Sequence, residues 1–490
     1  MFDRLPLEVL LHCLSYLSAE EKLECLTLKK SIYNAIQSSG VLYEFIIIER
    51  SEKFADMYTF FDKHKELRKL VKKLHIIKTS LDVYSYMALP TMFPNMQDFR
   101  FENPYHPIRD YDEKEVNAAF SPWVKTLTSL REFGTPVATF SLLANNSCPQ
   151  LQYLSLNIMG MDDEEKKFVL YDYLKNCPNL KVLDLKYVNT NLQHMEKIHK
   201  YLPNLKALSL TQVGIPEDNF KGIPEPAMTM ESLLIDDCTF VDNMAKWLTY
   251  ISQKYPNLKN LIIGKAEDMM AGNFFDENRY QKFLIKLVTN LKNLEFYCTK
   301  CLKLTAGILN AMDKANIQLK KIELGLYGAD ESFKLLVKSK QINYLTSLTI
   351  SGTSYENMVF RKKKKFVQDL GKFSKLKHLR INQSKEEVDG PESNRVPLDF
   401  ILETVKSLES IQMDFLTLEV ARKTQEPFKT NLKKLILEEC SVEAMALKGQ
   451  EDWKEESEEY LENLLPKTEI EYRQLDDTPE DEEYVHLFQI

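Results

Sequence analysis

Two cysteines and two histidines have the spacing that comes closest to a chemical site. Cys298 and Cys301 form a C-x-x-C pair, which is half of a four-cysteine zinc site, but no second pair accompanies it. His194 and His199 are five positions apart, whereas two metal ligands on one helical face are typically spaced four apart. We therefore expect no metal ion at either pair and interpret these residues as structural.

The motifs of common enzymes are absent from the sequence. It has only 14 glycines and contains no P-loop, no G-x-G-x-x-G, no H-E-x-x-H and no nucleophile elbow. These absences argue against nucleotide-binding folds, zinc peptidases and α/β hydrolases. The sequence predicts no catalytic residues and no cofactor, so the chain is interpreted as a binding protein rather than an enzyme.

The elements that must position any binding surface come from a repeated L-x-x-L-x-L spacing. In Cys177–Val188 it is formed by Leu180, Leu183 and Leu185. Copies recur about every 28 residues. Their first apolar residues are Leu151, Leu180, Leu205, Met230, Leu258, Leu291, Leu319, Leu345, Leu376, Leu408 and Leu432. Weaker copies lie at Val71–Ile76, Met96–Phe101 and Leu130–Phe133.

Each copy predicts a short strand followed by a helix. The second and third leucines are two positions apart, so they point to one face of a strand. Between copies, stretches such as Asp163–Asn176 have apolar residues three and four apart, which is typical of a helix. One such unit cannot bury its own leucines, so the units must stack. The pattern resembles the leucine-rich-repeat family, which implies an α/β fold: a curved solenoid with parallel strands on its concave face and helices on its convex face.

A partner protein is expected to bind the concave face, where side chains beside the core leucines alternate outward. The candidate residues are Tyr153, Asp184, Lys186, Asp236, Glu295, Tyr297, Glu323, His378, Arg380 and Asp414. These residues are mixed in charge. We find no stripe of arginines with aromatic residues among them, so the sequence does not indicate nucleic acid.

The first 36 residues do not fit the repeat and predict three short helices. Pro6 and Glu8 favour the first turn of a helix whose apolar face includes Leu10 and Leu14. Ser18 and Glu21 form an S-x-x-E capping box for a second helix. A third helix is predicted from Leu28 to Ile36.

These helices resemble an F-box, through the L-P-x-E-V-L start, two further leucines and an S-x-x-E-x-L segment. The resemblance implies docking onto a Skp-type adaptor, which links the chain to a cullin and a RING subunit. The positions that would bind the adaptor are Leu5, Pro6, Glu8, Leu10, Leu14, Leu17, Leu23, Leu28, Ile32 and Tyr33. The chain departs from the family at Ile32, where a tryptophan is usual, and at Ser31, where a basic residue is common. The alternative interpretation of the three helices is a cap that closes the end of the repeat stack.

Composition indicates a protein of the cytoplasm or nucleus. No apolar run approaches the roughly 18 residues of a membrane span, and Asp3 and Glu8 lie where a signal peptide would be basic and then apolar. The eight cysteines are scattered, as in a reducing compartment. We expect no membrane association.

The predicted domains are an F-box at 1–40, a solenoid at 41–465 and an acidic tail at 466–490. Between Glu451 and Glu483 the sequence has fifteen acidic residues and three basic ones, which indicates a solvated tail or an acidic linker. The basic run Arg361–Lys365 is interpreted as an exposed helix start or as a nuclear-import signal.

Together, the two resemblances imply the substrate-recognition subunit of an SCF-type ubiquitin ligase. Such a subunit raises the effective concentration of a target protein near the conjugating enzyme. The alternative is a leucine-rich-repeat scaffold or regulator, for example of a small GTPase, with a helical cap and no role in ubiquitination. The sequence does not identify the target protein.

Overall fold

The computed structural model describes residues 42–102, 113–134, 136–145, 147–159, 164–215, 220–240, 244–264, 277–299, 303–325, 329–352, 363–383, 395–420, 426–445, 453–455 and 458–474. Before residue 42 it describes Val9, Leu10, Cys13, Leu14, Cys25, Lys30, Ile32, Tyr33 and Ile36. The chain divides into two compact units, Met1–Gly214 (unit 1) and Ile215–Ile490 (unit 2).

Unit 1 is an array of parallel strands that alternate with helices. Its strands are β1 (Phe45–Ile48), β2 (Lys73–Ile77), β3 (Asp98–Glu102), β4 (Ser129–Phe133), β5 (Tyr153–Asn157), β6 (Val182–Lys186) and β7 (Ala207–Thr211), and the two-residue strand β8 (Gly214–Ile215) begins at its last residue. Its helices are α1 (Ser51–Lys63), α2 (Val83–Met92), α3 (Glu113–Phe120), α4 (Val137–Asn145), α5 (Glu164–Tyr173) and α6 (Leu192–Tyr201). Short 3-10 helices span Lys65–Leu70, Ser121–Lys125 and Leu174–Asn176.

The repeated leucines form the core because the strands pair in register. Leu154, Leu183 and Leu208 lie side by side on three neighbouring strands, and all three side chains are fully buried. Burial of one such leucine contributes roughly 1.5–3 kcal/mol. The predicted α/β solenoid of stacked strand and helix repeats is therefore confirmed.

A carboxylate replaces one of the core leucines in unit 1. The repeat that contains β4 begins at Leu127 and continues with Leu130 and Glu132, so the weaker copy expected at Leu130–Phe133 begins three residues too late. Glu132 lies in the same row as Phe101 and Leu156 and is only 2% exposed. An ionisable group thus lies inside the repeat core.

Four hydrogen bonds hold the Glu132 carboxylate. The Tyr86 hydroxyl in α2 donates at 2.6 Å. At the start of α4, the backbone N–H groups of Ala138 and Thr139 donate at 2.9 and 2.7 Å, and the Thr139 hydroxyl donates at 2.5 Å. The carboxylate therefore satisfies N–H groups that the first turn of a helix would otherwise leave unpaired. Burial raises the pKa of Glu132 above its usual range, and the hydrogen bonds from Thr139, Tyr86 and Ala138 oppose that increase.

Unit 2 continues the same alternation and adds a second sheet. Its strands are β9 (Ser232–Asp236), β10 (Thr239–Phe240), β11 (Asn260–Ile263), β12 (Phe296–Thr299), β13 (Lys321–Leu324), β14 (Ser347–Gly352), β15 (His378–Gln383), β16 (Arg395–Pro397), β17 (Ser410–Asp414), β18 (Thr417–Val420), β19 (Lys434–Glu438), β20 (Ser441–Met445), β21 (Trp453–Glu455) and β22 (Glu469–Arg473). Its helices are α7 (Met244–Lys254), α8 (Glu277–Asn290), α9 (Ala306–Lys314), α10 (Ala329–Leu336), α11 (Lys363–Leu370), α12 (Leu398–Thr404) and α13 (Glu458–Leu464), with a 3-10 helix at Lys340–Asn343. Within the described residues, no helix is long and apolar enough to span a membrane.

The main sheet of unit 2 runs in parallel through β9, β11, β12, β13, β14, β15, β17, β19 and β22. The second sheet contains β16, β18, β20 and β21, and its last pair is antiparallel. In the described part between β17 and β19, the strand β18 stands where earlier repeats place a helix. Among its described residues, the repeat that contains β17 therefore has a second strand and no helix, whereas β16 is followed by α12 and β21 by α13; the sequence analysis did not predict these second strands.

One repeat of unit 2 begins three residues later than predicted. The sequence analysis started this copy at Leu291, but β12 pairs so that Tyr297 lies beside Leu261 and Ile322, which are core residues. The repeat therefore begins at Leu294. Leucine occurs at both positions, so the spacing alone selected the wrong one.

The ends of the repeat array are close to the predicted ones. Strand β1 and helix α1 lie at the start of the predicted solenoid, which begins at residue 41. At the other end, β22 pairs with β19, and Lys434 lies opposite Glu469. The sheet thus extends past the predicted end at 465 into the predicted acidic tail. Residues 475–490 of that tail lie outside the described residues, as do Arg361 and Lys362 of the basic run.

A left-handed residue follows many of the strands. The residues are Lys78, Gly134, Tyr187, Gln212, Asp237, Phe415 and Glu439, with φ between 49° and 93°. Such a conformation costs roughly 1–2 kcal/mol for a residue other than glycine. Its recurrence at the same position shows that the turn out of the strand is a fixed part of the repeat.

Candidate functional site

The outward side of strands β2 to β6 in unit 1 is polar. Core residues alternate along these strands with partly exposed ones, as expected for a sheet with one buried face. We define the polar face by the side chains of His75, Asp98, Arg100, Glu102, Arg131, Tyr153, Ser155 and Asp184, all of which are partly exposed. Five of them form one continuous row across the strands: His75, Arg100, Arg131, Ser155 and Asp184.

His75 and Asp98 form a pair at one end of the polar face. The His75 Nε2 atom lies 3.4 Å from Asp98 Oδ2, and the two side chains are 14% and 19% exposed. Burial raises the pKa of Asp98, but the hydrogen bond and charge of His75, aided by Ser129 and Arg131, bring it below its ordinary value. The Phe45 ring packs edge-on against the His75 ring at 4.8 Å.

Arg100 is neutralised within its own strand. Its Nε and Nη2 atoms donate to the two carboxylate oxygens of Glu102 at 2.5 and 3.0 Å. Because the two residues are two positions apart, both side chains point to the same side of β3. The Arg100 charge is therefore already paired.

Arg131, unlike Arg100, stacks on an aromatic ring and is paired with no carboxylate of the described residues. Its guanidinium carbon lies 4.8 Å from the centre of the Tyr153 ring, which is a cation–π arrangement. Its Nε atom is buried and has no hydrogen-bond partner, and in the part of unit 1 that the structure describes it forms no ion pair. Burial and the charge of Asp184 raise the pKa of Tyr153, while Arg131 and a hydrogen bond with Ser155 lower it.

Asp184 closes the other end of the row. Ser155 donates its hydroxyl to Asp184 Oδ2 at 2.8 Å, whereas Oδ1 is buried without a hydrogen-bond partner. A cation and an anion, each with one unsatisfied buried atom, thus lie on either side of Tyr153 and Ser155. This arrangement suits binding of a polar ligand. Among the described residues, no group of three or more His, Cys, Asp and Glu residues could hold a metal ion.

The predicted partner-binding residues of unit 1 come together. Tyr153 and Asp184 belong to the polar face, and Lys186 is partly exposed at the end of β6. The sequence analysis missed His75, Arg100 and Arg131. Arg100 lies beside Arg131, which stacks on Tyr153.

The predicted residues of unit 2 have varied environments. Tyr297 is a core residue, 1% exposed, so its prediction as an outward residue is wrong. Glu323 is buried, Asp236 is partly exposed, and His378 is exposed. Glu295 lies just before β12 and forms an ion pair with Lys320 at 2.7 Å.

Arg380 and Asp414 form a pair on neighbouring strands of unit 2. Arg380 Nε donates to Asp414 Oδ2 at 2.8 Å, and Gln412 donates to the other oxygen at 3.1 Å. The Asp414 side chain is 1% exposed and that of Arg380 28%. Since all these groups are satisfied, the pair stabilises the sheet and is a weaker candidate for ligand binding than the polar face.

The predicted adaptor-binding residues lie partly outside the described residues. Those outside are Leu5, Pro6, Glu8, Leu17, Leu23 and Leu28. Leu10, Leu14 and Ile32 are helical and form a buried cluster with Ile36, against which Cys25 and Leu42 pack. Tyr33 is 46% exposed. Contact of these residues with an adaptor stays a prediction.

Cys298 and His194, one member of each of the two pairs considered as metal ligands, have structural environments. Cys298 is buried, and Cys301 lies outside the described residues. His194 belongs to the capping box of α6, and its ring stacks on Tyr171 at 4.2 Å.

Comparisons with known proteins give no family. No protein-family model matches the chain, and no curated protein matches it. Among solved structures, the chain is similar to one described as a crystal structure of a TLR13–ssRNA13 complex, with 14% sequence identity and a TM-score of 0.33 over 84% of this chain. The chain spans 60% of the length of that protein. The assignment as a leucine-rich-repeat solenoid rests on the buried leucines and the parallel register described above.

Proposed function

We propose that this chain is a protein-recognition subunit of an SCF-type ubiquitin ligase. In this proposal the N-terminal helices dock onto a Skp-type adaptor, and the outward side of the strands holds a target protein. The chain itself transfers no ubiquitin. It acts by positioning the target, which raises the effective concentration of its lysines near the conjugating enzyme.

The observation that carries the proposal is the apolar cluster before the first repeat. Leu10, Leu14, Ile32 and Ile36 pack on one another. Among the described residues that follow the N-terminal helices, Leu42 is the partly buried apolar residue that packs against this cluster. A simple cap would be expected to bury its apolar residues on the repeats. A cluster with its own core supports a separate docking module instead.

Two exposed apolar side chains complete this argument. Val9 and Tyr33 are helical and are 43% and 46% exposed. Such residues commonly anchor protein interfaces, where aromatic side chains are enriched. Among the predicted adaptor-binding residues that the structure describes, Tyr33 is therefore the one available for contact without rearrangement.

The test is binding of the full chain to a purified Skp-type adaptor, measured by isothermal titration calorimetry. We expect tight binding by the wild-type chain and at least tenfold weaker binding by Tyr33→Glu and by Val9→Glu. Tyr58→Glu is the matched control, because Tyr58 lies in α1 and is 43% exposed. Changes at Leu10 or Leu14 are less informative, since they would disrupt the buried cluster itself.

Each outcome of this test bears on the proposal. No binding by a folded wild-type chain would overturn the ubiquitin-ligase function and leave the alternative of a repeat scaffold with a helical cap. Equal weakening by Tyr33→Glu and Tyr58→Glu would show that adaptor binding does not use the N-terminal helices. Circular dichroism of each variant checks that the chain remains folded.

A further inference from the structure

The starting point is two unsatisfied atoms in the continuous row of the polar face of unit 1; the third unsatisfied atom of the face, Asp98 Oδ1, lies outside that row. Arg131 Nε and Asp184 Oδ1 are buried, and neither has a hydrogen-bond partner. A buried polar atom without a partner typically costs about 1–3 kcal/mol. Two such atoms in one row of the same face, one a donor and one an acceptor, indicate a surface that a ligand completes.

Arg131 Nε requires a hydrogen-bond acceptor from that ligand, and Asp184 Oδ1 requires a donor. The Arg131 guanidinium accepts no hydrogen bond and pairs best with a carboxylate, which can take two parallel N–H donors. The free oxygen of Asp184 needs a donor, and a lysine or arginine side chain supplies both a donor and a positive charge. A ligand that fits both groups therefore carries one acidic and one basic group.

The sheet geometry sets the distance between these two groups. Arg131 lies on β4 and Asp184 on β6, in the same row and separated by Ser155 of β5. Two strand spacings correspond to about 9.6 Å. A polyproline II helix has three residues per turn and rises about 3.1 Å per residue, so residues three positions apart share a face about 9.3 Å apart. The spacing of the row thus matches a peptide in this conformation.

We propose that the polar face binds an extended peptide segment of a partner protein, in polyproline II conformation, with an acidic residue against Arg131 and a basic residue three positions away against Asp184. The inference rests on the receptor half of the proposed function, since it specifies what the solenoid holds. The peptide crosses the strands and passes over Tyr153 and Ser155.

The charges of the face favour this ligand over a polyanion such as nucleic acid. Arg100 is already neutralised by Glu102, and His75 is paired with Asp98. A polyanion would therefore approach three carboxylates while finding one unpaired guanidinium. A segment that carries both signs avoids this repulsion.

The experiment uses the full chain and a library of proline-rich nonapeptides. Each peptide contains one glutamate and one lysine, spaced one, two, three or four positions apart in either order, with the other non-proline positions varied. The immobilised wild-type chain selects from the library, and the affinities of selected peptides are measured by fluorescence polarisation. We expect enrichment of the three-residue spacing. Selection of no peptide, or selection without a preferred spacing, would overturn the proposal.

Charge-swap variants then identify the residues responsible. We expect Arg131→Glu and Asp184→Lys each to weaken binding of a selected peptide at least tenfold. The double variant should recover most of the affinity, because a peptide bound in the reverse direction again meets opposite charges. Lys63→Glu, at an exposed lysine in α1, is the control and should bind as the wild type does. Equal binding by wild type and both single variants would refute the assigned site.

Measuring adaptor binding on the same variants separates this inference from the proposed function. Loss of peptide selection with intact adaptor binding would overturn the inference alone. Intact peptide selection without adaptor binding would instead remove the link to ubiquitin and leave the polar face as a peptide site.

Discussion

Replacement of Glu132 by alanine should destabilise the middle of unit 1 by about 4 kcal/mol. The carboxylate accepts hydrogen bonds from Tyr86, Ala138 and twice from Thr139, at 2.5 to 2.9 Å, and the side chain is only 2% exposed. Removing it leaves four donors without a partner, and each costs about 1–3 kcal/mol. We take the lower figure because water can enter the space of the deleted side chain. Glu132→Gln, which keeps one acceptor, should cost about half as much.

The effect of pH on this site has a definite sign. Burial raises the pKa of Glu132 above its ordinary value near 4.5. At pH values between 4.5 and the higher pKa of Glu132 in the folded state, the folded state binds more protons than the unfolded state. The free energy of unfolding therefore falls as pH rises. The glutamine variant lacks this titration. The stability of the wild type relative to Glu132→Gln should therefore decrease as pH rises from 4.5 through the folded-state pKa.

Hydrogen exchange measured by mass spectrometry gives a local readout of these effects. A loss of about 4 kcal/mol corresponds to roughly a thousandfold faster exchange in α4, for example at the amides of Leu142 and Leu143. Peptides from α9 in unit 2 should be unaffected, because repeats are coupled mainly to their neighbours. Glu66→Ala, at a side chain that is 71% exposed, is the matched control. Less than a tenfold change in α4 for Glu132→Ala would refute the argument that the carboxylate holds this helix.

Three further predictions test the turns, the buried thiols and the pair in unit 2. Gln212→Gly should raise the free energy of unfolding by about 0.5–1 kcal/mol in urea titrations, because Gln212 has a φ of 52° and glycine adopts this angle without strain. The greater conformational entropy of glycine in the unfolded state offsets only part of this stabilisation. Iodoacetamide at pH 8 should modify the exposed Cys13 in the native chain but not Cys177, whose pKa burial raises to about 12; equal labelling, read by mass spectrometry, would contradict this. Asp414→Asn should cost about 2 kcal/mol in the same urea titrations, because it leaves the Arg380 guanidinium without its carboxylate; the loss is smaller than for a fully buried pair since Arg380 is 28% exposed.

The repeat architecture could be predicted from the sequence because it depends on spacing alone. Two leucines two positions apart must share a face of a strand, and their neighbours in other copies then pair in register. The predicted repeat starts are wrong where tyrosine or glutamate takes a leucine position. Tyr297 and Glu132 both occupy core positions, so the copies that contain them were aligned on the wrong leucine. Only the pairing with adjacent strands corrects the alignment.

The binding surface was harder to predict for the same reason. Tyr153 and Asp184 were found because they flank leucines at every repeat position, whereas Arg100 and Arg131 lie in copies where phenylalanine or glutamate takes a leucine position. Phe99 and Phe101 on either side of Arg100 were a usable signal, since an arginine between two buried aromatic residues on a strand must point outward. The unsatisfied atoms of the face depend on side-chain positions, which no spacing rule supplies.

Glu132 and Arg131 are neighbours on β4 and therefore point to opposite sides of the sheet. A leucine at position 132 would be buried as well, but its apolar contacts would not be directional, as hydrogen bonds are. The carboxylate instead joins β4 to Tyr86 in α2 and to the start of α4 through bonds of defined length and angle. Because the strand is fixed from its inner side, the guanidinium on its outer side keeps its position over Tyr153 without an ion pair to hold it. The buried carboxylate thus explains how Arg131 can remain ready for a ligand on a surface where Arg100 is paired with Glu102 and His75 with Asp98.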